Sequence, residues 1–173
     1  IINANDRVIL GSNIPDFYYG LNASIDYRGF NLYLLFQGIY GAKRYYNNLW
    51  NTTAIRYGRE INSYFLDSWS AENPDSDIPR LTLDTNGDNT QVSSSWVQDV
   101  SYLRLKDVQL SYTFPAKWLK STFISKLQVY GNAQNVFTWT KFRGLDPETA
   151  NYTQYQVEYP NVRIISFGIN ASF

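Results

Sequence analysis

Hydrophobic and polar residues alternate with period two in several separated stretches of the chain. The cleanest is the last, Arg163 to Phe173, RIISFGINASF. Ile165, Phe167, Ile169, Ala171 and Phe173 share one parity; Ser166, Gly168, Asn170 and Ser172 share the other. This pattern predicts a β-strand with one apolar and one polar face. It carries no charge after Arg163 and ends on an aromatic residue. Two settings accommodate it. One is the closing strand of a transmembrane β-barrel, with lipid on one side and a wet lumen on the other. The other is a half-buried strand of a soluble sandwich.

Four further strands follow from the same rule. Residues 16–27, DFYYGLNASIDY, place Tyr19, Leu21, Ala23, Ile25 and Tyr27 on one side. Arg28-Gly29 predicts a tight turn, and residues 30–40 return as FNLYLLFQGIY. Strands of about eleven residues suit a tilted crossing of a bilayer better than an average soluble sheet. Residues 100–114 read VSYLRLKDVQLSYTF. Leu103 and Leu105 have one parity, Val108, Leu110, Tyr112 and Phe114 the other, so a β-bulge is expected near Lys106-Asp107. Residues 126–140, KLQVYGNAQNVFTWT, form a fourth strand and residues 162–173 the fifth.

Between strands the pattern dissolves. Gly41 to Asp99 is rich in Asn, Ser, Pro and Gly and reads as one long loop. Within it, Ile61, Tyr64, Phe65 and Trp69 have helical spacing, predicting a short amphipathic helix from Arg59 to Ser70. Its aromatic side would either meet a ligand or partner, or pack the loop against the barrel mouth. Asp84-Thr85-Asn86-Gly87-Asp88 resembles a calcium loop, but Gly87 comes too early and the closing Glu is missing, so a plain turn is expected. Pro115 to Ser125 is a connection with one helical turn around Trp118, and Lys141 to Asn161 is a second long loop. Loops of such length usually serve binding.

Composition narrows the chemistry. Fifteen basic and fifteen acidic residues cancel, without a basic run, so no nucleic-acid partner is expected. Cys and His are absent. That removes disulfides, thiolate chemistry, imidazole ligands and a Ser-His-Asp triad. No apolar run is long enough for a transmembrane helix, a statement that leaves barrels untouched. Asp146 and Glu148 are the one close carboxylate pair in a motif, and Pro147 between them marks a turn. No enzyme, metal site or cofactor is expected.

The connections run short, very long, medium, long. Outer-membrane barrels alternate short periplasmic turns with long extracellular loops. Counting back from Phe173 in the periplasm, the two long loops lie outside. Aromatic residues then sort by height: Tyr27, Phe30, Tyr112, Phe114 and Phe173 near the periplasm; Tyr19, Tyr40, Phe137 and Trp139 near the outside. Two aromatic girdles favour the membrane setting. Five strands cannot close a barrel, and an open edge is not tolerated in lipid. The remaining strands must come from elsewhere. With no initiator Met or signal peptide at Ile1, we expect a segment of a longer chain.

Three motifs carry a family resemblance. SYLRLKDVQLSYTFP (Ser101 to Pro115), VYGNAQNVFTWTKFRGLDPE (Val129 to Glu148) and IPDFYYGLNASIDYRGFNLYLLFQGIYG (Ile14 to Gly41) resemble the SusC/RagA family of TonB-dependent outer-membrane transporters. Phe142 stands where Tyr is common, and the ending SFGINASF is similar to the family's tail. The resemblance spans nearly the whole chain. It implies an all-β fold: the last five antiparallel strands of a barrel of about 22 strands, in the outer membrane of a Bacteroidota-type bacterium. It also implies an N-terminal plug, coupling to TonB-ExbB-ExbD, a SusD-like surface lipoprotein over the mouth, and oligosaccharide or peptide cargo. Loop aromatics that could stack on cargo or contact the lipoprotein are Tyr45, Tyr46, Trp50, Trp139, Tyr152 and Tyr155. Phe167, Ile169, Ala171 and Phe173 resemble the C-terminal signal read by the barrel-assembly machinery, and Phe173 also suits a girdle. Competing readings are a passive porin, a barrel-anchored adhesin, and a soluble carbohydrate-binding sandwich.

Overall fold

The computed structural model describes residues 4–45, 63–81, 93–149 and 159–173. Its main element is a five-stranded, wholly antiparallel sheet. The strands are β1 (Phe17–Tyr27), β2 (Phe30–Tyr40), β5 (Tyr102–Thr113), β6 (Lys126–Thr140) and β7 (Ile164–Ser172), ordered β1-β2-β5-β6-β7. All five expected strands form, each within two residues of its expected start. A two-stranded ribbon, β3 (Lys43–Tyr45) with β4 (Val97–Asp99), sits apart from the sheet order.

Short connections gather at one end of the sheet, called here the turn end. Arg28 and Gly29 have φ of 50° and 90°. Positive φ at both central residues gives the turn whose twist matches the hairpin. A side chain at Gly29 would meet the Thr113 carbonyl at 2.9 Å, so the site demands glycine on two grounds. The β5–β6 connection contains the expected helical turn, Ala116–Leu119, with Leu119 buried beneath it. The opposite end, the loop end, carries the long connections.

The register fixes the two faces. Paired residues share a face, so one row runs Ala23, Leu34, Val108, Ala133, Ile165. The next toward the turn end runs Ile25, Leu32, Leu110, Gly131, Phe167, and the one after it Tyr27, Phe30, Tyr112, Val129, Ile169. Toward the loop end come Leu21, Phe36, Leu105, Phe137, then Tyr19, Gly38, Leu103, Trp139. No charged side chain stands in these rows. The opposite face presents Asn22, Ser24, Gln37, Gln109, Asn132, Ser166 and Asn170 on the alternate positions.

The apolar face lies bare. Ile25 is 61% exposed and Phe167 84%. Among the described residues no second sheet or helix covers it, which removes the packing a soluble sandwich needs. Aromatic residues border it at both ends, as expected. Phe30 and Tyr112 pack at 4.6 Å between ring centroids and Tyr112 and Phe114 at 5.1 Å at the turn end. Phe137 and Trp139 pack at 4.6 Å, and Phe17 and Tyr40 at 6.4 Å, at the loop end.

The expected bulge is present, and it extends further than expected. Between the rows of Leu34 and Phe36, β5 passes from Val108 to Leu105 and β6 from Ala133 to Phe137. Each successive strand therefore accommodates one more residue than its neighbour. On β5 the extra residue inverts the parity at Lys106-Asp107. On β6 Asn135 takes the left-handed conformation, φ 51°, which Asn tolerates better than most residues. Its side-chain amide donates to the Val162 carbonyl at 2.9 Å, tying β6 to the entry of β7.

The long first loop departs from expectation in two ways. It is not patternless throughout, since β3 and β4 pair within it. And the helix expected over Arg59 to Ser70 is a single 3-10 turn, Ser63–Asp67, among the described residues. The Trp69 amide donates to the Ile78 carbonyl at 2.8 Å instead of continuing a helix, so the chain turns away. Phe65 is fully buried against Trp96, with Tyr45, Ile78 and Leu81 around them, while Leu66 is 85% exposed. Residues 84–88 lie outside the described residues.

Candidate functional site

The polar face carries side-chain hydrogen bonds between neighbouring strands. Every second residue of a strand must point there, so the small amides and hydroxyls of the sequence become neighbours across strands. Asn132 donates to Asp107 at 2.8 Å, Gln128 to Ser111 at 3.2 Å, and Asn170 to Gln128 at 3.2 Å. Near the turn end Asn31 donates to both Ser24 (2.8 Å) and Asp26 (2.9 Å). Tyr33, Asp107, Gln109, Tyr130, Asn132 and Ser166 line a shallow open depression of about 460 Å³ in its middle. Tyr130 fills the space above Gly168, where a side chain would collide with its ring. A glycine opposite a tyrosine thus keeps a large amphipathic group flat on the wall.

Above this surface, at the loop end, four charges lock the β6–β7 loop down. Arg104 of β5 is the centre, and its side chain is 3% exposed. Its Nε donates to Thr138 Oγ1 on β6 at 2.9 Å and its Nη1 to Glu148 Oε2 at 2.7 Å, while Nη2 pairs with Asp146 Oδ1. Lys106, the bulge residue, donates to both Glu148 oxygens at 3.0 Å. Asp146 also accepts the backbone amides of Glu148 and Asn161, each at 2.9 Å. The Asn161 side chain donates to Glu148 at 3.0 Å. Both ends of the loop are therefore pinned to one arginine on the barrel wall. Burial would raise the Asp146 carboxyl, but the hydrogen bonds from Arg104, Glu148 and Asn161 outweigh it and hold it below the usual 3.8.

The latch explains residues the sequence left as a turn. Pro147 sets the bend that aims both carboxylates at one guanidinium, whose planar fork can bind two acceptors at once. The bulge at Lys106 supplies the second cation on the same face. Neither link was visible without the pairing of β5 with β6, since Arg104 and Asp146 are separated by 42 residues. An arrangement in which every carboxylate is engaged by a cation or an amide has no free base. It positions a loop.

The expected contact residues scatter. Tyr45 is half-buried on β3 against the Phe65–Trp96 cluster. Trp139 lies on the apolar face beside Phe137, at girdle height. Tyr46, Trp50, Tyr152 and Tyr155 lie outside the described residues. Phe167, Ile169 and Ala171 line the apolar face of β7, and Phe173 stacks on Phe123 with centroids 5.5 Å apart. Phe142 is buried with Ile39, Ala42, Val100 and Tyr102, where the strands leave the sheet.

No family model matches the chain. It is 32% identical over its whole length to TonB-dependent receptor P26 of Formosa agariphila and spans 18% of that receptor. It is 24% identical over 99% of its length to TonB-dependent receptor SusC of Bacteroides thetaiotaomicron, of which it spans 16%. Among solved structures, the RagAB peptide importer in its open-open state matches 94% of the chain with a TM-score of 0.77 and 28% identity. The chain covers 18% of that structure's chain. It thus spans less than a fifth of the relatives it matches. A bare, uncharged apolar face, a hydrogen-bonding opposite face and these likenesses agree: the chain is a SusC/RagA-like segment of an outer-membrane β-barrel, similar along its length to part of TonB-dependent receptors of Bacteroidota.

Proposed function

We propose that this chain is the C-terminal wall of a TonB-dependent importer, and that its polar face lines the path of oligosaccharide or peptide cargo. The observation that carries the reading is the two-faced sheet. Amides, hydroxyls and the flat rings of Tyr33 and Tyr130 face the side away from lipid, and such groups hydrogen-bond and stack on sugars and peptides alike. The likeness to the RagAB peptide importer adds weight to the peptide arm. In this reading the two long loops face outward and meet a SusD-like lipoprotein. Tyr45, Tyr46, Trp50, Tyr152 and Tyr155 are the aromatic candidates for lipoprotein or cargo contact there. Import is energised by TonB-ExbB-ExbD through a plug supplied by the rest of the protein. Phe167, Ile169, Ala171 and Phe173 serve as the signal for barrel assembly.

The test is uptake by cells carrying or lacking the intact receptor, using labelled peptides and oligosaccharides, with and without a protonophore. The reading expects receptor-dependent uptake of one cargo class that stops when the proton gradient collapses. Uptake that persists without the gradient would instead make the protein a passive porin. Absence of receptor-dependent uptake for every cargo would favour an adhesin.

A further inference from the structure

The turn end of the apolar face holds a feature that neither transport nor general lipid contact requires. Where the row of Leu110 and Phe167 reaches β6, it meets Gly131, and the face loses a side chain. The result is a groove of about 540 Å³, bounded by Leu110, Tyr112, Val129, Phe167 and Ile169. That volume falls within the range of ligand-sized clefts, roughly 300–1,000 Å³. Phe167 leans over the gap, its ring 3.3 Å from where a Gly131 side chain would begin.

The groove does not end blindly. From Tyr112 an aromatic ladder descends through Phe114 (5.1 Å) to Trp118 (6.1 Å). Trp118 is 59% exposed on the helical turn Ala116–Leu119, and Lys117 and Lys120 flank it, both exposed. Residues 115–126 carry three lysines and no acid. The third, Lys126, pairs with Ser172 on the polar face. The ion pairs of the described residues lie at the other end of the sheet, and Lys117 and Lys120 are exposed on either side of Trp118, beyond the end of the apolar face. An apolar slot, then an aromatic step, then two ammonium groups repeat the order of an anionic phospholipid: acyl chain, glycerol region, phosphate.

We propose that this end of the sheet is a binding site for one anionic phospholipid. An acyl chain lies in the Gly131 groove, Trp118 sits at the glycerol level, and Lys117 and Lys120 hold the phosphate. Trp is suited to that level by its apolar body and polar N–H. The inference rests on the membrane placement of the sheet and is independent of cargo, so its test uses binding alone.

Native mass spectrometry of the intact receptor in detergent, titrated with phosphatidylglycerol or phosphatidylcholine of identical chains, gives the affinity for each. A lysine near an anionic headgroup contributes about a fivefold gain, so two give phosphatidylglycerol an advantage of about thirtyfold. Lys117→Ala with Lys120→Ala should erase that advantage, weakening phosphatidylglycerol far more than phosphatidylcholine, whose choline already balances its phosphate. Gly131→Leu fills the groove and should weaken both lipids. Equal affinities in the unmodified receptor, or a preference that survives loss of both lysines, would overturn the proposal. So would unchanged binding of both lipids to a folded Gly131→Leu receptor. If that variant does not fold, as judged by its heat-dependent gel mobility, the lysine arm decides.

Discussion

The two faces of this sheet come from the same strands, residue by residue, yet they are stabilised in different ways. On the apolar face the rows Ala23–Leu34–Val108–Ala133–Ile165 and Ile25–Leu32–Leu110–Gly131–Phe167 have little beside them but one another. Their favourable environment is the bilayer, and their one strict requirement is the absence of charge. On the polar face Asn31, Asn132, Gln128 and Asn170 bond to side chains of neighbouring strands, and at the loop end the partners are ions. The first face specifies an environment; the second specifies geometry. That difference explains why alternation alone reads one face well and the other poorly.

The contrast can be broken most severely at the latch. Arg104→Ala removes the guanidinium and leaves Asp146 with its side chain 3% exposed and without its cation. Breaking a buried pair from one side costs about 3–5 kcal/mol. The β6–β7 loop should detach, seen as fast hydrogen exchange and protease cleavage near residue 146, while the strands stay protected. Cleavage unchanged from the parent protein would mean that the latch does not hold the loop.

A charge on the lipid side is the next largest change. Leu34→Arg, in the middle row, should cost about 2–4 kcal/mol in the unfolding of the intact barrel in lipid. Gln109→Arg, one row away on the other face, should cost well under 1 kcal/mol. Equal costs would erase the distinction between the faces.

Acid should open the latch selectively. The Asp146 carboxyl is held below its ordinary 3.8, so its contribution is complete above that pH and is lost as the pH falls below it. Loop protection should therefore be flat from neutral pH down to about 5 and decline below 3.8. Asp146→Asn should lower protection at neutral pH and flatten the acid decline. A decline centred near neutral pH would point to another group.

A single amide on the polar face contributes less than the latch or a lipid-facing charge. Asn132→Ala removes one hydrogen bond to Asp107 on an open polar surface. It should cost about 0.5–1.5 kcal/mol by denaturant titration, with no change in loop protection.

Much of this architecture was legible beforehand, for physical reasons. Period-two alternation over eleven or more residues leaves few alternatives, so β1, β2 and β7 could be placed to within two residues. The bulge on β5 showed because one extra residue inverts parity. The irregularity on β6 stayed hidden because that strand gains two residues over β2, which restores parity from Ala133 to Phe137. Only the left-handed Asn135 betrays it. The β3–β4 ribbon is three residues a side, too short for any periodic signal. The helical spacing around Phe65 reflected a single turn whose Phe65 buries against Trp96, 31 positions later in the sequence. The latch was beyond reach for the same reason: its charges meet only through the β5–β6 register.

The central claim is that one face meets lipid and the other water. The chain has no cysteine, so single cysteines on β5 can carry nitroxide labels once any cysteines elsewhere in the receptor are replaced. Accessibility to oxygen and to a water-soluble nickel chelate would be measured in bilayers from Leu103 to Tyr112. The account predicts oxygen maxima at Leu103, Leu105, Val108, Leu110 and Tyr112, and nickel maxima at Asp107 and Gln109, which line the open polar depression. The period should be two, with its phase inverted across Lys106. Uniform accessibility along both parities, or an unbroken phase through Lys106, would contradict it.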